Sequence, residues 1–295
     1  MRRWLFLAFI LAASGAILYY TKHHKTEARV GPEAMLNVLA DTQREFSRVP
    51  ARITRLSDSE ELRIGNGMAA SYLARRGQLS SADAELETYI ATVGRAVAGG
   101  ARRKLDYRFH YIPDANFTNA FALPGGHIFL GRGMLQLMQS EDELANALGH
   151  EVEHVDNYHC NERVSLRNLP LGELISLPVE LFQAGYSKEQ ELEADREGAD
   201  LAVRAGYSPQ GAIHLFQTLG RLHGEYVSKA SSPGQELSQV AIEGIIGYFR
   251  SHPLPADREA QIRRIMTSQK WPLPPERPLR LRPEPTTTVA GTKPK

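Results

Sequence analysis

Residues 140–156 have the sequence SEDELANALGHEVEHVD, and their pattern determines how the other segments are interpreted. Ser140 followed by Glu143 is the signature of a capping box, and acidic residues fill the next turn, where the helix dipole favours negative charge. An apolar face follows, made of Leu144, Ala145, Ala147 and Leu148. The stretch therefore predicts an amphipathic helix with one side packed into a core.

The predicted helix carries an H-E-x-x-H motif, His150-Glu151-Val152-Glu153-His154. Four residues advance a helix by just over one turn, so His150 and His154 project from the same side. Two imidazoles in this arrangement can hold one Zn²⁺. Glu151 is too near His150 in sequence to be the natural third ligand. We predict that it accepts a proton from a water molecule activated by the metal.

A third metal ligand has to come from another segment. The metzincin pattern would require Gly at position 157 and His at position 160, but these residues are Asn157 and Cys160, so that class is excluded. Glu173 lies at a thermolysin-like distance downstream, but its surroundings are apolar and lack a following Asp. It is therefore the weaker of two candidates, and the other lies in a later helix. His159 and Cys160 follow the helix in the wrong register for the metal, and Cys160 is interpreted as a bystander.

Residues 189–200, EQELEADREGAD, predict a second helix with two unlike faces. The charged, solvated face consists of Glu189, Glu193, Arg196, Glu197, Asp200 and Arg204. The opposite face consists of Glu191, Ala194, Asp195, Gly198, Leu201 and Ala202. Small residues on this second face would allow close approach to the motif helix. Its two carboxylates need partners there, because burying them unpaired is costly. Metal for Glu191 and a histidine N–H for Asp195 would satisfy both.

The composition restricts the alternatives. The chain has 295 residues and a net charge of +1, with 35 Lys plus Arg against 34 Asp plus Glu, so no nucleic-acid partner is expected. A single cysteine excludes an intramolecular disulfide and a Cys-rich zinc finger. A metal site must therefore use histidines and carboxylates, and ten histidines are present.

Outward from these two helices, the pattern predicts one α+β, mostly helical domain over residues 32–270. Helical periodicity covers residues 32–48, 57–76 and 82–97, and most of residues 140–267. Residues 107–112 alternate like a strand. Residues 119–130 are two short β runs broken by Pro124-Gly125-Gly126, which predicts a hairpin or sharp bend.

Both ends of the chain are predicted to lie outside this domain. Residues 1–25 contain an uncharged run at 4–20 behind Arg2 and Arg3, which we interpret as a single-pass membrane anchor, with a cleaved signal segment as the alternative. The initial arginines favour a main domain outside the cytoplasm. Residues 271–295 are crowded with proline and predict an extended or disordered tail.

Residues 149–155 (GHEVEHV) and 191–198 (ELEADREG) together resemble the membrane-associated zinc endopeptidases that include HtpX, BepA and the CAAX prenyl endopeptidases. Residues 119–126 (NAFALPGG) resemble the N-A-F-x-x-P-G-G segment of that family, and His252-Pro253 with Arg258 resembles its H-P…R element. The similarity covers about residues 57–266. The single hydrophobic run makes the BepA-like branch the closer match.

This resemblance implies a gluzincin-type metalloprotease domain, with a small sheet or hairpin beside the active-site helix. It implies one Zn²⁺ per chain held by His150, His154 and Glu191. Glu151 would be the general base, and Asp195 would hydrogen-bond to a ligating histidine. It also implies protein or peptide substrates, and protein quality control at an envelope membrane, bacterial inner membrane or periplasm.

Two further sets of residues are candidates for contact with a substrate. Asn119, Ala120, Phe121 and Ala122 would form an edge strand on which an extended peptide adds by main-chain hydrogen bonds, or else a plain structural hairpin. His252 precedes a proline, which biases it toward a loop. It would then donate to the oxyanion, act as an inhibitory fourth ligand, or simply pack.

The function predicted from these patterns is a zinc metalloendopeptidase. Two alternatives stay open. One is a chaperone-like binding module with structural zinc and latent or no proteolysis, and the other is a non-proteolytic zinc hydrolase on the same scaffold. The oligomeric state is not predicted.

Overall fold

The computed structural model describes residues 55–165, 179, 182, 185–230, 252 and 255–283. All of them belong to the compact unit Pro50–Lys295. The predicted anchor at 4–20, the predicted helix at 32–48 and the alternative ligand Glu173 lie outside the described residues. Within the described part, no helix combines the length and the apolar character needed to cross a bilayer.

The described residues contain eight α-helices, three strands and a one-turn 3₁₀-helix at Pro124–Gly126. The α-helices and strands are α1 (Asp58–Arg76), α2 (Ser81–Ala98), β1 (Arg108–Ile112), β2 (Ala120–Leu123), β3 (His127–Gly131), α3 (Arg132–Leu137), α4 (Glu141–Asp156), α5 (His159–Ser165), α6 (Lys188–Arg204), α7 (Gln210–Ala230) and α8 (Pro255–Gln269). The predicted fold class, mostly helical with one small sheet, is confirmed. The predicted helices at 57–76 and 82–97 and the strand at 107–112 match α1, α2 and β1.

The small sheet has the strand order β1-β3-β2. β2 and β3 pair antiparallel with Leu123 opposite His127, so the predicted hairpin is confirmed. The turn between them places Gly125 and Gly126 at φ of 77° and 95°, a region that favours glycine. β1 runs parallel to β3 with Arg108 opposite His127. This arrangement leaves β2 at an edge of the described sheet.

Helix α4 packs against the sheet, α2, α6 and α7 at the centre of the described part of the chain. Its apolar residues Leu144, Leu148 and Val152 are completely buried. The backbones of α4 and α6 meet at Gly149 and Gly198, where a Cβ on Gly198 would lie 2.5 Å from the His150 backbone nitrogen. The predicted close approach through small residues is therefore confirmed.

The N-terminus of α4 differs from the predicted capping box in one respect. Ser140 Oγ accepts a hydrogen bond from the Glu143 backbone N–H at 3.1 Å, as expected. The Glu143 carboxylate does not return to the N–H of Ser140, and its Oε1 accepts from the Gln139 N–H at 3.2 Å. Ser140 faces Pro278 of the C-terminal segment in an isolated antiparallel bridge, in which the Glu141 N–H donates to the Arg277 carbonyl at 2.8 Å. The reciprocal half of the predicted box is therefore not formed.

Residues 271–283 pack on α4, and the prediction that the chain leaves the core at Trp271 is wrong for them. The Arg277 backbone accepts from the Glu141 N–H at 2.8 Å and donates to Asp142 Oδ2 at 2.6 Å. Arg280 pairs with the buried Glu141 at 3.0 Å. The segment is held because its backbone and arginines satisfy carboxylates that would be costly to bury unpaired. Residues 284–295 lie outside the described residues.

Candidate metal centre

Helices α4 and α6 bring the three predicted metal ligands together. His150 Nε2 and His154 Nε2 lie 3.1 Å apart. The Glu191 carboxylate lies 3.5 Å from the first of these nitrogens and 3.6 Å from the second. Tetrahedral Zn²⁺ with bonds of roughly 2.0–2.1 Å keeps its ligand atoms about 3.3 Å apart. The three side chains therefore already have nearly the spacing of one zinc site.

Glu191 provides a test of whether a cation fits this cluster. Its side chain is fully buried, and its Oε1 has no hydrogen-bond partner. Burial by itself would raise the pKa of Glu191, but the neighbouring His252 and a hydrogen bond with His150 hold that pKa well below its usual value. An ionised buried carboxylate with an unused oxygen, facing two imidazoles, is a donor set that suits Zn²⁺.

The side of His150 away from this cluster is held by Asp195 and Arg258. His150 Nδ1 donates to Asp195 Oδ1 at 2.8 Å. Arg258 donates two hydrogen bonds to the same carboxylate, at 2.6 and 2.7 Å, and is itself only 2% exposed. Burial alone would lower the pKa of His150, but Asp195 and Glu191 outweigh burial and raise it to about 10. Asp195 and Glu191 thus stabilise positive charge at His150, and a metal ion would supply such a charge.

His154 is held by two residues for which the sequence predicted no role. Its Nδ1 lies 3.0 Å from His159 Nδ1, and His159 Nε2 in turn lies 3.5 Å from Glu193. The ring of Tyr186 stacks on His154 with centroids 4.0 Å apart, and its hydroxyl lies 3.2 Å from Cys160 Sγ. Cys160 belongs to none of the described clusters of potential metal ligands, and its contact is with the residue that stacks on a candidate ligand.

Helix α4 does not continue to His159, so helical spacing did not predict its contact with His154. Tyr158 adopts a left-handed φ of 63°, so the chain changes direction between the end of α4 and the start of α5. Arg258 was noted in the sequence only as part of a resemblance, and its partner Asp195 lies 63 residues away. Tyr186 carries no local pattern that predicts its contact with His154.

Glu151, the predicted general base, lies beside a candidate metal ligand. It is 3% exposed, and its carboxylate shares a cluster with ring nitrogens of His150 and His252, all within 4.8 Å of one another. Burial raises the pKa of Glu151 to about 7, although the neighbouring His150 acts in the opposite direction. A carboxylate with a pKa near neutrality is suited to both accepting and returning a proton.

His252 also lies in the site, as its candidate role requires. Its Nδ1 donates to Glu191 Oε2 at 2.7 Å, and its ring centroid is 5.2 Å from that of His150. The side chain is buried, and burial lowers its pKa despite the neighbouring Glu191. Both predicted roles, donation to an oxyanion and ligation of the metal, require this position next to the ligands.

The predicted substrate strand reaches the site through one end. Ala120 lines a cavity together with His150 and Glu151. Phe121 faces the core, where its ring stacks on Phe129 with centroids 4.9 Å apart. Asn119 Oδ1 accepts from the Ala120 N–H at 3.0 Å, and Cys160 Sγ lies 3.6 Å from the carbonyl oxygen of Ala122. A peptide that adds to β2 would have to replace these two contacts.

Comparison with known proteins places the chain among metallopeptidases. The model of Peptidase family M48 matches residues 81–177 and 171–266. A putative beta-barrel assembly-enhancing protease of Vibrio cholerae is 29% identical over 228 residues, which cover 69% of this chain and 43% of the relative. Mitochondrial metalloendopeptidase OMA1 of Arabidopsis thaliana is 33% identical over 120 residues, covering 37% of this chain and 25% of the relative.

A shorter relative matches over most of its length. Metalloprotease YcaL of Escherichia coli is 25% identical over 234 residues, which cover 73% of this chain and 83% of the relative. The chain spans less than half of the length of the Vibrio and Arabidopsis relatives.

Proposed function

Because this chain belongs to peptidase family M48, we propose that it is a zinc metalloendopeptidase that hydrolyses peptide bonds of protein substrates. The observation that carries the proposal is the convergence of His150, His154 and Glu191, with ligand atoms within 4.8 Å of one another and Glu151 beside them. The names of the relatives support the same class of reaction.

In this proposal His150, His154 and Glu191 hold the metal. A zinc ion bound there would lower the pKa of water and polarise the scissile carbonyl. Glu151 accepts the proton of the attacking water and returns it to the leaving amine. Asp195 holds the His150 tautomer whose Nε2 faces the other ligands, and Arg258 keeps Asp195 ionised and oriented.

We propose that His252 has one of two roles: it donates a hydrogen bond to the substrate carbonyl, or it ligates the metal. Since its Nδ1 is engaged by Glu191, the imidazole is oriented within the ligand cluster. In the first role it donates to the developing oxyanion, and loss of the ring would lower kcat. In the second role it occupies the position that water needs, and its loss would raise activity. The sign of the change in the His252→Ala variant separates the two roles.

The substrate is proposed to present an apolar side chain near the scissile bond. The cavity that reaches Glu151 has an apolar wall, formed by Met134, Ala147, Ala199, Ala212, Leu215 and Phe216. Misfolded and membrane-associated proteins expose such side chains in extended segments. We further propose that residues 4–20 anchor the chain in an envelope membrane, with the described domain outside the cytoplasm. This placement rests on the sequence pattern alone.

The decisive experiment is digestion of an unfolded protein by the purified full-length chain, with and without a chelator, followed by restoration with Zn²⁺. Wild type is expected to cleave only with metal, whereas Glu151→Gln should bind zinc and not cleave. Glu85→Gln, an exposed substitution on α2, is the matched control and should keep full activity. Full proteolysis by Glu151→Gln would contradict the assigned base. Zinc binding by wild type without any cleavage would favour the chaperone-like alternative.

A further inference from the structure

A second cluster of histidine and carboxylate side chains lies at the opposite end of α4 from the candidate metal centre. It joins Glu143 of the first turn of α4, His214 of α7 and Glu276 of the C-terminal segment, with ligand atoms within 4.8 Å of one another. We propose that these three residues bind a second divalent transition-metal ion, of the zinc type. This inference is independent of the proposed peptidase activity.

Glu143 supplies the observation that points to a ligand. The residue is 1% exposed, and its Oε1 accepts from the Gln139 N–H, while its Oε2 has no hydrogen-bond partner. In the described part of the chain, only two buried carboxylate oxygens lack a partner, Glu143 Oε2 and Glu191 Oε1. Each belongs to a cluster with histidine, so the two sites share this geometric feature, although burial raises the pKa of Glu143 to about 7 while that of Glu191 is held low. An unsatisfied buried carboxylate is costly unless a cation completes it.

The other two ligands make the site reachable from solvent. His214 Nδ1 lies 2.7 Å from Glu276 Oε1, and their side chains are 49% and 19% exposed. All three residues line an open cleft of about 420 Å³. An ion can therefore enter from the solvent, displace this hydrogen bond and keep water in its remaining position.

The charge of the cluster suits a divalent cation. As metal ligands, with both carboxylates ionised and the imidazole neutral, these side chains would bring a formal charge of −2 to the site. Two arginines also line the cleft, but both are engaged with other groups. Arg277 donates to the Gly206 carbonyl at 2.7 Å and lies over the Tyr207 ring, and Arg221 donates to Thr218 Oγ1 at 3.0 Å. One imidazole with two carboxylates is a ligand set that zinc accepts.

Binding at this cluster would tie together three parts of the fold. Glu143 begins the helix that carries His150 and His154, and Glu276 lies next to Arg277, whose backbone already bonds the first turn of that helix. A metal ion there would fasten residues 271–283 to α4 and α7. We therefore expect the second ion to act as a structural clamp on the C-terminal segment.

The test is zinc stoichiometry of the full-length chain, stripped with a chelator, titrated with Zn²⁺ by calorimetry, and checked by elemental analysis after desalting. Wild type is expected to bind two equivalents. His214→Ala and Glu276→Gln should each bind one, and Glu191→Gln should lose the other one. Glu85→Gln should keep both. Two variants of the second cluster are used so that misfolding of one, detected by circular dichroism, leaves the other informative.

A single equivalent in wild type, lost in Glu191→Gln, would overturn the second site and leave the proposed peptidase centre intact. Two equivalents retained with unchanged affinity in both His214→Ala and Glu276→Gln would also overturn it. As a second measurement, hydrogen exchange of residues 271–283 in wild type should slow at least tenfold when the second equivalent binds, and should not change in His214→Ala. Equal exchange rates in the two proteins would overturn the clamp.

Discussion

Asp195 Oδ1 lies 2.8 Å from Nδ1 of His150, so a residue of α6 determines how a candidate ligand on α4 presents its other nitrogen. With Nδ1 as the donor, the lone pair of Nε2 is directed toward His154 and Glu191. Arg258 holds the same carboxylate from α8 with two hydrogen bonds. Three helices are thus needed to orient one imidazole.

Asp195→Ala is expected to weaken zinc binding about 10- to 100-fold, the usual effect of losing a residue that orients a ligating histidine. Competition with a chromophoric chelator measures this affinity. Glu189→Ala, which removes an exposed carboxylate from the same helix, is the control and should leave the affinity unchanged. Wild-type affinity in Asp195→Ala would show that His150 needs no such partner.

Tyr186→Leu is expected to weaken zinc binding about tenfold, comparable to the loss of other supports of a ligating histidine. The ring lies between His154, at 4.0 Å between centroids, and the guanidinium of Arg163, at 3.9 Å. Tyr186→Phe keeps both stacked contacts and loses only the hydroxyl, so it should bind zinc nearly as tightly as wild type. Equal losses in the two variants would assign the effect to the hydroxyl and its contact with Cys160.

Gly198→Ala is expected to destabilise the fold by about 3 kcal/mol or more, because the added Cβ meets backbone atoms of α4 that cannot move aside. Urea denaturation monitored by circular dichroism gives the free energy of unfolding. Gly224→Ala on α7 is the matched control, since a Cβ there has no atom within 4 Å. It should be neutral or stabilising by about 0.5–1 kcal/mol. Similar losses in both variants would contradict the backbone contact.

Acid is expected to destabilise the fold through His110 and His127, whose Nε2 and Nδ1 atoms lie 2.9 Å apart. Burial lowers the pKa of each to about 4, with smaller contributions from Arg76 and Arg108 on His110. An unfolded histidine has a pKa near ~6.5. Between about pH 6.5 and pH 4 the unfolded chain therefore binds more protons, and the free energy of unfolding falls as the pH falls.

The measurement for this pair is urea denaturation at a series of pH values. Between pH 6.5 and pH 4 the free energy of unfolding should fall by about 3 kcal/mol for one histidine with this pKa shift. The double variant His110→Phe, His127→Gln should have a flatter dependence between pH 6.5 and 4, and an unchanged one above pH 7. A slope identical to wild type in the acid window would remove these histidines as the cause.

Much of the architecture followed from local patterns. The periodicity of residues 140–156 and 189–200 identified two helices and the faces they bury, and Pro124-Gly125-Gly126 located the turn of the hairpin. The same patterns nominated His150, Glu151, His154, Glu191 and Asp195, because spacing along a helix determines which side chains share a face. The described structure brings all five into one cluster, while their roles stay predictions.

Other features were decided by packing between distant segments. Residues 271–283 look like a solvated tail by composition, yet their backbone and arginines neutralise the buried first turn of α4. Glu143 has the spacing of a capping residue, but its carboxylate is turned toward His214 and Glu276. His159 supports His154 only because Tyr158 breaks the helix between them.

The sequence by itself therefore determined which residues can act together within one helix, since helical geometry is set by local backbone sterics. Only the tertiary structure decided which partners complete them. Burial makes each carboxylate, imidazole and guanidinium require a counterpart, and the nearest one comes from whichever segment the fold brings there. Arg258, Tyr186 and the C-terminal segment are such partners, and they lie 32 to 139 residues away along the chain.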